Sequence, residues 1–241
     1  GYSLGVLSLL GSRFKVKLGP LLPGSHQVPF ADCYRCPLEQ PYPACSLGCL
    51  ELARKQIRMG STGAIAAVVV EPMQGTAGNV IPPKEFLPAV AALARELDAL
   101  LIADEMITGL GRTGRNFGVE WSGVIPGIMP VGKAFGGGFP LSGIVTTDEI
   151  ASAKPWSHPS GSSSSYGGNP LGATAGATAL KLIVEERLVE NAAQVGAVML
   201  KELQRMEERY PFGGYVQGAG MFLRMELVRD KTSKGPLPRP V

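Results

Sequence analysis

Three short apolar runs, each ending abruptly at ionisable residues, constrain this chain more than any other feature. Ala66-Ala67-Val68-Val69-Val70 leads into Glu71-Pro72, Leu100-Leu101-Ile102-Ala103 into Asp104-Glu105, and Gly127-Ile128-Met129-Pro130-Val131 into Gly132-Lys133. A fourth run, Ile144-Val145, leads into Thr146-Thr147. Uninterrupted apolar runs of this length predict strands buried on both faces, the signature of a parallel sheet. Between the first two runs Phe86, Val90, Leu93 and Leu97 recur at helical spacing, behind Pro82-Pro83, which suit a first helical turn. A strand, a helix and a strand make a βαβ unit, so the fold class is α/β. In such sheets ligands gather at the carboxyl ends of strands, which makes Glu71, Asp104 and Lys133 the first functional candidates.

The 241 residues are 45% apolar and 18% charged, enough for one large domain or one domain plus part of another, and too apolar for disorder. Lys and Arg number 23 against 20 acids, a faint excess that predicts neither a nucleic-acid partner nor an anionic membrane surface. The longest clean apolar run, residues 64–70, falls far short of the roughly 18 residues of a membrane span. The first residues do not read as a secretory signal. From Pro170 onward the sequence turns helical, with Leu188, Ala192, Val195, Met199 and Met206 at helical spacing. Met221-Phe222-Leu223 then alternates into Met225 and Leu227 as a strand. These textures predict one domain over residues 1–184 and the beginning of a second over 185–241. Gly1 is not a start methionine and residues 235–240 read as loop, so the ends are expected to be those of an internal piece of a longer protein.

Lys133 follows an apolar strand and precedes Gly136-Gly137-Gly138. A stem packed in a cleft would desolvate the amine and favour its neutral form, which attacks carbonyls to give imines. The glycines would let backbone approach a planar or anionic group closely. An ordinary solvated strand-end lysine beside a glycine turn is the competing reading. Asp104 ends a strongly apolar strand, so its carboxylate is expected to be half-buried and partnered. A protonated ring nitrogen would serve, as would Arg112 if the carboxylate were merely structural. Glu71 before Pro72 is a weaker sign, since Glu-Pro is a common strand exit. Gly127 to Lys133 also matches G-x-x-x-x-G-K, the opening of a nucleotide-triphosphate loop. Ala134 lacks the hydroxyl that holds Mg²⁺, and the four intervening residues are bulky and apolar, so the match is read as chance.

Four ordered stretches carry a family resemblance: Val70-Glu71-Pro72-Met73-Gln74-Gly75, Ala103-Asp104-Glu105-Met106-Ile107-Thr108-Gly109-Leu110-Gly111-Arg112-Thr113-Gly114, Val131-Gly132-Lys133-Ala134-Phe135-Gly136-Gly137-Gly138-Phe139-Pro140-Leu141 and Tyr166-Gly167-Gly168-Asn169-Pro170. In order and interval they resemble the class III (subgroup II) aminotransferases of pyridoxal-phosphate fold type I, over nearly the whole chain. The resemblance implies a major α/β domain with a mostly parallel sheet, part of a small α+β C-terminal domain, and pyridoxal 5'-phosphate as cofactor. Lys133 is implied as the lysine that holds the cofactor as an imine and shuttles the substrate proton. Asp104 is implied as the carboxylate that keeps the pyridinium nitrogen protonated, Met106 as an apolar contact to the ring face, and Glu71 as a carboxylate that pairs with an arginine and releases it for substrate. Ser165 falls where a hydroxyl binds the cofactor phosphate of a neighbouring subunit, which implies a homodimer with shared active sites. Ile107 replaces a glutamine common in the family, and Gly127 a frequent aspartate. The resemblance implies a cytoplasmic enzyme moving an amino group from an amine or ω-amino acid (4-aminobutyrate-like) to a 2-oxo acid. A racemase or aminomutase of the same cofactor class, and a catalytically silent fragment, are the alternatives. The upstream aromatic-His pair, a glycine-rich phosphate loop and a second-domain arginine would lie outside the chain.

All four cysteines fall in a Pro-rich insertion between Pro29 and Glu51, as Cys33-Tyr34-Arg35-Cys36 and Cys45-Ser46-Leu47-Gly48-Cys49. This spacing can hold Zn²⁺ or an iron–sulfur cluster. Disulfides suit a cytosolic enzyme poorly, and four reduced thiols packed in a surface loop are the plain alternative. Similar segments occur in prokaryotic relatives described as 4-aminobutyrate-type or broad-range. His26 and His158 read as loop residues without a ligand role.

Overall fold

Along the chain come α1 (Leu4–Leu9), α2 (Gly48–Gly60), β1 (Ala67–Val70), α3 (Phe86–Glu96), β2 (Leu100–Ala103), β3 (Ile128–Val131), β4 (Gly143–Thr146), α4 (Asp148–Ala151), α5 (Pro170–Glu185), α6 (Leu188–Arg209), β5 (Gly213–Ala219) and β6 (Phe222–Leu227). They are taken from a computed structural model that describes residues 3–237, with only the backbone of Ser12. Gly1, Tyr2 and residues 238–241, which enter the reading of the chain's ends, lie outside the described residues.

The sheet order is β1-β2-β3-β4. β1 and β2 pair in parallel from Ala67↔Leu100 to Val70↔Ala103, and β2 joins β3 in parallel at Ile102↔Ile128. β4 departs from the all-parallel expectation. It pairs antiparallel to β3, from Ile128↔Thr146 to Val131↔Gly143. Residues 132–142 are too few for the helical crossover that a parallel return requires, so the chain doubles back. The sheet is therefore mostly parallel, and the class is α/β.

The core lies on one face of this sheet. Val70, Leu101 and Ala103 meet Phe86, Leu87, Val90, Leu93 and Ala94 of α3 and Leu50 of α2. Each such side chain contributes about 1.5–3 kcal/mol by leaving water. On the other face this chain covers the strands less, leaving Val69 46% and Leu100 41% exposed. An apolar run shows that a strand needs covering, not which element covers it. α3 begins at Phe86, after Pro82-Pro83 instead of within them, and carries Pro88 in its first turn. A proline there loses no helical bond, because the first N–H groups of a helix have no partner.

α5 is apolar around its circumference, the pattern of an enclosed helix, yet Leu171 and Val184 are largely exposed. It seats Gly172 and Gly176 against Leu141 and Phe135, in the loop that follows Lys133. α6 packs on the β5–β6 hairpin through Gly196 and buries Ala192, while Val195, Met199 and Met206 stay part-exposed. The small residues win because Gly196 lies against the backbone of Gly220, where no larger side chain fits. β6 follows the alternation of Phe222 to Leu227. β5 is hidden in sequence by Gly213, Gly214 and Gly218, a composition depleted in strands and used where other groups approach closely. Among the described residues no helix is long and apolar enough to cross a membrane.

Candidate active site

The hydrogen-bond ladder runs past the end of β2. The Asp104 N–H donates to the Val70 carbonyl at 2.8 Å and the Glu105 N–H to the Pro130 carbonyl at 3.1 Å. These bonds clamp the exit of β2 between its neighbours, so Glu71, Asp104 and Lys133 leave three adjacent strands on the same edge. Glu71 is half-buried, and its Oε2 accepts from the Gly75 N–H at 2.9 Å. Burial pushes its carboxyl up, the Gly75 bond opposes that, the charge of Asp104 adds to the rise and that of Lys133 counters it. Glu71 thus feels both of the other candidates. The three strand-end residues share one electrostatic neighbourhood.

Asp104 is half-buried, as expected, and its Oδ1 accepts from the Met106 N–H at 3.0 Å. Among the described residues it has no ion pair, and Arg112 is exposed, so the merely structural pairing is not seen. Met106 lays its thioether on Gly132, where an added Cβ would stand 2.9 Å from Sδ. Lys133 corrects an expectation. Its side chain is exposed, not packed in a cleft. Its backbone has φ 47°, the left-handed region that costs a side-chain-bearing residue about 1–2 kcal/mol. Gly137 and Gly138, at φ 59° and 106°, complete the turn that follows. Strain of this kind persists only where surrounding structure enforces it, and it concentrates at functional sites.

Ser165 lies on the exposed loop before α5. The chance reading of the nucleotide-loop match holds, because Ile128–Val131 is strand β3 itself and not a loop with free N–H groups. The cysteines yield a second correction. All four are free, and among the described residues no three His, Cys, Asp or Glu side chains converge to hold a metal ion. Burial, reinforced by Cys45, Cys49 and Cys36, pushes the Cys33 thiol up to about 11. The expected Zn²⁺ or iron–sulfur site thus finds no support among the described residues. The insertion instead straps the β5–β6 hairpin. Tyr34 stacks on Tyr215 with ring centroids 4.5 Å apart, Arg224 pairs with Asp32 and Glu226, and Arg35 also pairs with Glu226.

Glu105 escaped the sequence reading. It is 1% exposed, and its carboxylate accepts from the Thr108 hydroxyl at 2.5 Å, the Gly118 N–H at 2.9 Å and the Val119 N–H at 2.8 Å. The rule applied to Asp104, that a carboxylate after an apolar strand needs a partner, points equally to the next residue.

The family model for class-III aminotransferases matches residues 1–239. A leucine/methionine racemase from Thermococcus litoralis is 36% identical over 237 residues, covering 97% of this chain and 53% of the racemase. A diaminobutyrate–2-oxoglutarate aminotransferase from Rhizobium meliloti is 36% identical over 231 residues, covering 95% of this chain and 48% of that enzyme. Relatives named for ornithine and putrescine match beside it. The solved structure of a thermostable (S)-enantioselective omega-transaminase from Thermomicrobium roseum superposes with a TM-score of 0.87 at 36% identity, over 98% of this chain and 54% of that one. The chain spans about half the length of the curated relatives it matches.

Proposed function

This chain belongs to the class-III aminotransferase family, and we propose that the enzyme containing it moves an amino group from a compound with a terminal primary amine to a 2-oxo acid. One observation carries the reading: a primary amine and two carboxylates, Lys133, Asp104 and Glu71, leave adjacent strands on one sheet edge. Diaminobutyrate, ornithine and putrescine, for which relatives are named, all carry a terminal amine, which supports an amine or ω-amino acid donor of the 4-aminobutyrate type. In this reading the fold is type I, with residues 1–184 in the major domain and 185–241 opening a smaller one.

The residues present fit pyridoxal phosphate, the cofactor of this family. They offer an accessible amine, a half-buried carboxylate whose Oδ2 makes no hydrogen bond among the described residues, and a thioether beside a glycine turn. When bound, the cofactor supplies an aldehyde for an amine and a cationic ring that draws electrons from the substrate Cα. Lys133 would hold it covalently through Nζ and, once released, carry the Cα proton as general base and acid. Asp104 would keep negative charge opposite a ring N–H, held in orientation by the Met106 N–H. Met106 would supply apolar contact to a ring, and Glu71 would meet a cationic group near substrate. A homodimer, with Ser165 reaching a neighbouring subunit's phosphate, belongs to the same reading. The exposed apolar side chains of α5 and β4, among them Leu171 and Ile144, are surface that a second copy would cover. Four free thiols accord with a cytoplasmic setting.

The racemase relative favours one second reading, because inversion at Cα needs the same lysine and carboxylate. The complete enzyme should convert a terminal amine only when a 2-oxo acid is supplied, and it should release an oxo product. Incubation of one amino-acid enantiomer in deuterated water, with no oxo acid, separates the two. Inversion with deuterium uptake under those conditions would assign racemisation and sink amino transfer as the main activity.

A further inference from the structure

The carboxylate of Glu105 is the most enclosed ionisable group at the strand ends, and the chemistry proposed above does not use it. It has lost its water entirely, so its charge depends on protein donors. Burial pushes its carboxyl up, while Thr108, Val119 and Gly118 oppose the rise. Oε2 accepts from the Thr108 hydroxyl and the Gly118 N–H, and Oε1 accepts from the Val119 N–H. Its own backbone N–H is tied to Pro130, and its carbonyl accepts from the Gly109 N–H at 3.0 Å. One residue therefore fixes the start, middle and far side of the loop that leaves β2.

That loop carries the groups that meet the neighbouring exits. Met106 and Ile107 follow Glu105 directly. Met106 holds Asp104 Oδ1 by its N–H and lies on Gly132, the residue before Lys133. Ile107 packs on Gly75, whose N–H binds Glu71. Gly118, held by Glu105, lies against Thr108 and Pro72, the residue after Glu71. All three strand exits lean on segments that this buried carboxylate anchors.

We infer that Glu105 is a positioning residue of the active site: by fixing the loop 105–119 it sets the orientation of the Asp104 carboxylate and the seat of Met106 beside Lys133. The inference rests on the functional reading above for its effect on cofactor, though not for its effect on the loop. Glu105→Gln is the sharp variant. Its amide nitrogen would turn N–H donors toward one of the backbone N–H groups now bound to carboxylate oxygen, whichever way the amide is flipped. Thr108→Val keeps the volume and removes a single donor. Glu120→Gln is the control, because Glu120 Oε1 accepts from the Phe117 N–H at 3.2 Å on the exposed side of the same turn.

The experiment uses the complete enzyme, freed of cofactor and then titrated with pyridoxal phosphate. Hydrogen exchange of the Gly118 and Val119 amides reads the anchor, and the visible absorbance of lysine-bound cofactor reads its affinity and the pH at which its colour changes. Glu105→Gln should speed exchange about tenfold or more, weaken cofactor by a similar factor and move the colour change. Thr108→Val should act in the same direction by about two- to fivefold, and decides the matter if Glu105→Gln does not fold. Glu120→Gln keeps an acceptor for Phe117 and removes only the smallest influence on Glu105, so it should change each readout by less than about twofold. Faster exchange with unaltered affinity and colour change would overturn positioning and leave Glu105 purely structural. Unaltered exchange would overturn the anchor itself. A wild-type enzyme that takes no cofactor on Lys133 would instead overturn the functional reading, and the exchange rates would still judge the loop.

Discussion

The loops leaving β2 and β3 start from adjacent parallel strands and are built by opposite means. The exit of β2 is pinned: Glu105 is buried beneath it with three donors, and Gly118 packs closely against Thr108 and Pro72. The exit of β3 is open: Lys133 is exposed in a left-handed backbone conformation, followed by two glycines of positive φ. In the proposed function Lys133 forms and breaks a covalent bond, and such a group needs access. A carboxylate that holds a charge in place needs a rigid seat. The difference places a buried, hydrogen-bonded anchor beside Asp104 and an exposed side chain at Lys133, within one sheet edge.

The largest effect should come from removing the reactive end of the open loop. Lys133→Ala in the complete enzyme should abolish the visible absorbance of lysine-bound cofactor while leaving the fold intact; a retained band would mean that another lysine serves. The contrast in packing can then be measured by adding a single methyl to each loop. At Gly118 the new Cβ would lie 2.8 Å from Thr108 Cβ and 3.1 Å from Pro72 Cβ, so Gly118→Ala should cost about 1–3 kcal/mol in denaturant unfolding. At Gly138 there is open space and only the φ of 106° resists, so Gly138→Ala should cost the smaller amount, about 1–2 kcal/mol of backbone strain. Equal costs, or the reverse order, would erase the distinction between the two exits.

The smallest effect concerns Glu71, which lies beyond Asp104 and borrows its seat from Gly75. Its folded-state carboxyl is raised, chiefly by burial, so the folded protein binds that proton more tightly than the unfolded chain does. Stability from this group is therefore present at low pH and lost as pH rises from the unfolded value through the folded one. Glu71→Gln keeps an oxygen for the Gly75 N–H and removes the loss. The melting midpoint of the variant should exceed that of wild type at neutral pH, and the gap should close in acid. A gap that widens on acidification would contradict the sign.

Much of this edge was legible in the residues. Apolar runs that stop at Glu71, Asp104 and Lys133 reported both the strands and the candidates, because a buried strand tolerates no charge until it leaves the core. The periodicity of Phe86, Val90 and Leu93 reported α3 for the same reason. The reading went wrong where a pattern described a need without its partner. Spacing of Cys33, Cys36, Cys45 and Cys49 permits a metal site, but among the described residues the thiols do not converge on one. The large apolar residues of α6 marked a helix, but its closest contact is made by Gly196.

The sequence alone therefore determined the class of fold, the chain order of the four strands of the larger sheet and the chemical types at their ends. Those follow from hydrophobicity and charge, which are properties of each residue. Tertiary structure decided that β4 turns back, that this chain covers one sheet face more than the other, that Lys133 is exposed and that Glu105 rather than Asp104 is the enclosed carboxylate. These depend on which segments meet. Asp104 and Glu105 are neighbours with the same charge, and the donors of Thr108, Gly118 and Val119, brought back by the loop, separate a half-buried carboxylate with one donor from an enclosed one with three.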